Sequence, residues 1–209
     1  MPLEVEIVDL GINNLASLTR GFAAASDVDV RVIAHASETR GAHLMVLPGV
    51  GGYGAAVEEL RNRGLDTVVT EHAAAGFPLF GVCLGMQLLA DASEETPGAP
   101  GLGLIKGTVR KLIASGTDRV PNMGWTGADA TDKAAPFAAL RQSLDFYFVH
   151  SFAMVPDDPD DVLITSQFAG SSFVSGVIHE NVLGLQFHPE KSSRGGIRLL
   201  GEVVAWAHG

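Results

Sequence analysis

One cysteine, Cys83, stands in a chain of 209 residues, so no internal disulfide can brace the fold. A lone thiol in such a chain is either a small buried hydrophobe or a nucleophile. Basic residues are also scarce: 14 Lys and Arg against 24 Asp and Glu leave a formal charge of −10. That balance argues against nucleic acid as a main partner, because phosphate neutralisation needs a clustered positive surface. No apolar run approaches the roughly 18 residues of a membrane span. The opening Met1-Pro2-Leu3-Glu4-Val5-Glu6 has acidic residues where a secretion signal has basic ones, and no apolar stretch follows. The expected location is therefore the cytoplasm. Neither a repeat nor a dividing linker is present, so one domain over residues 1–209 is expected. With 46% hydrophobic and 18% charged residues, the chain can bury a substantial core.

The apolar pattern alternates strand and helix through the first half. Strands are expected at 5–9, 28–33, 44–47 and 77–82, and helices at 13–25, 55–62, 65–75 and 84–91. Pro48-Gly49 should stop the third strand. This order implies a parallel sheet with helices on both faces. After Pro97 the runs at 102–113 and 145–187 are β-rich, with one short helical candidate near Phe137, and 198–208 reads as helix. The segment 156–161, Pro-Asp-Asp-Pro-Asp-Asp, reads as a polar surface turn. The expected fold class is α/β: a mostly parallel central sheet with an added antiparallel β portion, in a single domain.

Phe80-Gly81-Val82-Cys83-Leu84-Gly85-Met86-Gln87 places the cysteine between a buried strand and a helix, with glycine two residues to either side. A residue on so sharp a turn is strained, and small neighbours let the backbone fit. The helix N-terminus beneath it favours an anion, and the amide of Leu84 can meet a developing oxyanion. Alone, the motif fits a buried cysteine between packing glycines equally well.

Val182-Leu183-Gly184-Leu185-Gln186-Phe187-His188-Pro189-Glu190 supplies partners. Proline keeps His188 extended, so His188 and Glu190 can lie on one side. The carboxylate can then hold one ring nitrogen while the other faces a thiol. His150 reads as a core-strand residue, and His35, His43, His72, His179 and His208 carry no assigned role. One cysteine and scattered histidines give no metal-ligand spacing, and no cofactor is expected. The loop Pro48-Gly49-Val50-Gly51-Gly52 is followed by no Lys-Ser or Lys-Thr pair, which argues against phosphate binding. It suits backbone amides offered to an oxyanion.

These motifs, in this order and 105 positions apart (83 to 188), resemble the class I, or triad, glutamine amidotransferases over nearly the whole chain. Within that family the chain is most similar to glutaminase subunits of imidazole glycerol phosphate synthase, of histidine biosynthesis. The matching segments are Pro48–Gly51, Pro121–Trp125, Tyr147–Ser151 and His188–Ser192. The resemblance implies that Cys83 forms a glutamyl thioester while His188, oriented by Glu190, moves protons. It further implies an oxyanion hole at Val50 and Leu84, with substrate contacts from Gly49, Gly51, Gln87, Ser151 and Phe152. Ammonia would pass to a separate (β/α)₈-barrel cyclase, met by Asn13, Met123 and Trp125. Leu10, Asn13, Asn122 and Thr126 depart from the family pattern, on the side where the synthase would be read. The competing readings are a paralogue feeding a different synthase, a stand-alone γ-glutamyl cysteine hydrolase and a non-catalytic subunit. Cys83→Ala should abolish glutamine hydrolysis while leaving the circular dichroism spectrum unchanged; retained activity would remove the nucleophile assignment.

Overall fold

The computed structural model describes residues 2–11, 15–116, 118–142 and 145–209. Asn13 lies outside the described residues. The first half alternates as the periodicity demands: β1 Leu3–Val8, α1 Leu15–Ala25, β2 Val28–Ile33, β3 Leu44–Gly49, α2 Tyr53–Asn62, α3 Leu65–Ala74, β4 Leu79–Cys83 and α4 Leu84–Leu88. The chain is then mostly strand. First come β5 Ala92–Ser93, β6 Gly107–Lys111, β7 Asn122–Gly127, β8 Asp129–Ala130 and β9 Asp145–His150. β10 Phe152–Pro156, β11 Val162–Phe168, β12 Ser171–His179 and β13 Val182–Leu185 follow, before α5 Ser193–His208.

Eight strands form the main sheet in the order β2-β1-β3-β4-β13-β12-β11-β8. The first five run parallel, and β12, β11 and β8 extend the sheet antiparallel. Two small sheets, β10-β6-β5 and the ribbon β7-β9, stand beside it. The parallel part with its antiparallel extension is the architecture expected from the sequence.

Successive side chains of a strand point to opposite faces, and β3 shows how both faces become buried. Leu44 and Val46 join a core with Leu18 and Phe22 of α1 and Leu199 and Val203 of α5. Met45 and Leu47 join a second core with Leu60 of α2 and Leu65 and Val69 of α3. The sheet is thus clamped between helix pairs.

Several boundaries differ from expectation: β1 and β4 span 3–8 and 79–83 instead of 5–9 and 77–82, α5 starts at Ser193 instead of 198, and three further cases have a visible cause. β3 continues through Pro48, which pairs with Val82, to Gly49, which pairs with Cys83. Proline's fixed φ suits extended backbone and removes only its own N–H from the ladder. α4 stops at Leu88 instead of reaching Asp91. The carbonyls of Leu88, Leu89 and Ala90 accept from the amides of Leu102, Leu104 and Gly103 at 2.9–3.1 Å, so they are spent on a neighbouring loop. The helical candidate near Phe137 is a 3₁₀ turn at Ala138–Arg141. The 156–161 turn is exposed at residues 157–160, as expected, while Asp161 at its end is buried, with Oδ1 2.8 Å from Nδ1 of His179.

Close approach explains the glycines flanking Cys83. A Cβ on Gly85 would fall 1.7 Å from the Leu47 carbonyl oxygen, and one on Gly81 would fall 2.9 Å from the Gly85 backbone. Both obstacles are backbone and cannot swing aside. Gly85→Ala should lower the unfolding free energy by at least about 2 kcal/mol, read from urea denaturation. An unchanged midpoint would show that β3 and α4 can separate freely.

Candidate active site

Cys83 ends the central strand β4, between β3 and β13, at the carboxyl edge of the parallel sheet. That edge is where open α/β sheets bind ligands. Its backbone has φ 55° and ψ −110°, the strained turn expected from the motif. α4 is only five residues long, so its macrodipole is weaker than that of the helix expected from the sequence. The unpaired amides of a first helical turn remain available there.

β13 closes the gap between positions 83 and 188. It lies parallel to β4 with Leu185 beside Val82, so the chain reaches His188 within three residues of Cys83's level. Phe187 stacks on Phe146 at 4.1 Å, and the His188 amide donates to the Tyr147 carbonyl at 3.0 Å. Ser192 Oγ donates to the His188 carbonyl at 2.7 Å and accepts from the Tyr147 amide at 3.0 Å. The backbone carrying the ring is therefore tied to β9 on two sides.

His188 Nδ1 lies 2.8 Å from Glu190 Oε1, with both side chains almost wholly buried. An ionised carboxylate only accepts, so Nδ1 carries the proton. Nε2 is buried and makes no hydrogen bond of ordinary geometry among the described residues. Burial opposes charge on the ring, but Cys83 and then Glu190 outweigh it and raise the pKa to about 9. The folded value exceeds the ordinary 6.5. This stabilisation is thus complete below about pH 6.5 and lost as the pH climbs through about 9.

A pocket of about 290 Å³ opens in front of the sulfur, at the small end of ligand sites. Val50, Gly51 and Leu84 line it beside Cys83, with Gln87, Ser151 and Phe152 around them. Gly49 does not reach the pocket; a Cβ there would sit 2.9 Å from Leu84 Cβ, so its smallness serves packing. Sequence reasoning gave no site role to three residues here. Glu95, within an unremarkable acidic run, is the one carboxylate among the described lining residues, and its Oε2 accepts from the Tyr53 amide at 3.1 Å. Gln186 places Nε2 3.8 Å from Cys83 Sγ. His150 is buried at the end of β9, as a core residue would be, and also lines the pocket.

Both ring nitrogens of His150 are occupied. Nδ1 donates to the Phe152 carbonyl at 2.8 Å, and Nε2 accepts from Asn122 Nδ2 at 3.1 Å. Burial lowers its pKa to about 4 against the Phe152 contact, and His188 adds to the lowering. The ring is neutral, and its one proton is held in the bond to the Phe152 carbonyl. Among the described residues no three His, Cys, Asp or Glu converge to hold a metal ion.

Met123 and Trp125 project from one face of β7 and are 63% and 52% exposed. They are paired with Val149 and Tyr147 of β9. Asn122, one of the departures, is buried against His150, and Leu10 is buried in the core.

Comparison with known proteins agrees with this geometry. The family model described as glutamine amidotransferase class-I matches residues 6–201. The chain belongs to the class I glutamine amidotransferases. It is 42% identical to the imidazole glycerol phosphate synthase subunit HisH of Pyrococcus furiosus, over 94% of this chain and 95% of that protein. The HisH protein of Chlorobaculum tepidum is 37% identical, over 94% and 96%. A crystal structure of a glutamine amidotransferase superposes with a TM-score of 0.74 at 18% identity, covering 96% of this chain and 98% of that one. The structure of PurLQS from Thermotoga maritima does so at 0.74 and 20%, covering 99% and 97%. These two establish the fold alone.

Glutamine hydrolysis that uses His188 as its acid should fall above about pH 9, where the ring loses its proton. Glu190→Gln removes a charge that raises the His188 pKa, so it should move this alkaline limb to lower pH and slow turnover at least about tenfold. An unmoved limb in a pH–rate profile would assign the titration to another group.

Proposed function

We propose that the chain is a glutaminase subunit that releases ammonia from glutamine and hands it to a separate synthase subunit. The observation that carries this reading is the convergence of Cys83, His188 and Glu190 at the sheet edge, in a chain of this family. Cys83 Sγ attacks the amide carbon, and the amides of Val50 and Leu84 receive the oxyanion. His188 Nε2 protonates the nitrogen as the C–N bond breaks, leaving a glutamyl thioester and ammonia. The neutral ring then takes a proton from water, which displaces the sulfur to give glutamate. Glu190 holds the ring throughout. Gly51, Gln87, Ser151 and Phe152 surround the glutamate portion, with Gly49 shaping the loop, and the Glu95 carboxylate suits the α-ammonium group.

The synthase is proposed to be the (β/α)₈-barrel cyclase subunit of imidazole glycerol phosphate synthase, in the cytoplasm. The names and identities of the relatives support this, and the glutaminase domain then spans residues 1–209. Met123 and Trp125, with Asn13, form the proposed contact. Exposed side chains of this size on a rigid ribbon suit an anchoring role.

Glutaminase activity of the purified chain should rise at least about tenfold with the cyclase partner plus an analogue of its substrate. Trp125→Ala should reduce that stimulation more than the basal rate. Labelling of Cys83 by a glutamine-mimicking electrophile without stimulation would keep the glutaminase and overturn the choice of synthase. Collapse of basal hydrolysis alone would move Trp125 into the active site.

A further inference from the structure

Gln186 is wholly buried one residue beyond β13, and none of the roles above uses its side chain. Its amide nonetheless faces the reacting sulfur: Nε2 lies 3.8 Å from Cys83 Sγ. The orientation of that amide follows from its neighbours. Gln87 Nε2 lies 2.9 Å from the Phe152 carbonyl oxygen and 3.1 Å from Gln186 Oε1. A backbone carbonyl only accepts, so the atom of Gln87 that meets it must be the nitrogen. That nitrogen needs an acceptor from Gln186, which turns Oε1 toward Gln87 and Nε2 toward the sulfur. Flipping the Gln186 amide would set one NH₂ against another and press a carbonyl oxygen on the sulfur. The Phe152 carbonyl thereby dictates, through two side chains, that sulfur meets a donor.

We propose that Gln186 is a fourth catalytic residue, whose side-chain N–H donates to Cys83 Sγ and stabilises the thiolate. The inference rests on Cys83 being the nucleophile. Its effect is largest in the second half of the reaction. Water oxygen bonds to the thioester carbon, its proton passes to His188, the C–S bond breaks, and the electron pair of that bond returns to sulfur. A thioester sulfur is a feeble acceptor and a thiolate a strong one, so the fixed N–H favours the departing charge. Gln186 itself transfers no proton.

Gln186→Met keeps the bulk and removes the donor. Since Cys83 is the one cysteine, its alkylation by iodoacetamide can be followed against pH without interference. The midpoint should rise by about one pH unit in the variant, equivalent to about 1.4 kcal/mol. Acid-quenched steady-state samples should hold several-fold more thioester by intact mass. A folded variant with both readouts as in the wild type would reduce Gln186 to a packing residue and overturn the proposal. If the variant does not fold, ¹⁵N-glutamine-labelled wild type decides. The Gln186 amide protons should shift with the alkylation midpoint, and unmoving resonances would reject the contact. A wild type with neither thioester nor pH-dependent alkylation would instead sink the nucleophile assignment itself.

Discussion

The positive φ of Cys83 is the constraint around which the sheet edge is arranged. A non-glycine residue in that region costs on the order of 1–3 kcal/mol, and it persists only where the surroundings leave no alternative. Here β4 is paired on both sides, by β3 up to Gly49 and by β13 up to Leu185. α4 begins at the very next residue, its glycine pressed on the Leu47 carbonyl. The chain cannot relax at Cys83 without loosening a strand, a helix start or both. The thiol is accordingly held out of the sheet and into the pocket, within reach of the segment that carries His188.

Much of this was legible because it is local. The strand-to-helix turn at Cys83 follows from flanking glycines, and the extended backbone of His188 follows from the proline after it, although Pro189–Lys191 then turn as a short 3₁₀ helix. The helices α2 and α3 and the strand β2 follow from periodicity. What was not legible depends on partners distant in sequence. α4 ends early because the 101–105 loop takes its carbonyls, which no propensity encodes. β3 runs through Pro48 because β4 offers it a partner. His150 looked like an ordinary core residue because its partners, Asn122 and the pocket, arrive from another strand. Gln186 was hidden for the same reason: a glutamine before an aromatic residue carries no signal until its amide is seen against sulfur.

The ribbon of β7 and β9 has two faces with different company. On one, Met123 and Trp125 stand exposed, with Trp125 edge-on to Tyr147. Across the register, the Val149 carbonyl lies 4.0 Å from Cys83 Sγ and the Tyr147 carbonyl accepts from the His188 amide. The ribbon that carries Met123 and Trp125 thus also supplies the backbone that touches Cys83 and His188.

β13 lies in the middle of the sheet although it comes late in the chain. β4, made a hundred residues earlier, has no neighbour on that side until β13 inserts, and such long-range parallel pairing is slow to form. During synthesis Cys83 thus exists well before His188, and β4 presents an open edge where β13 will lie. Cys83 and the segment bearing His188 therefore come together only once β13 has joined β4.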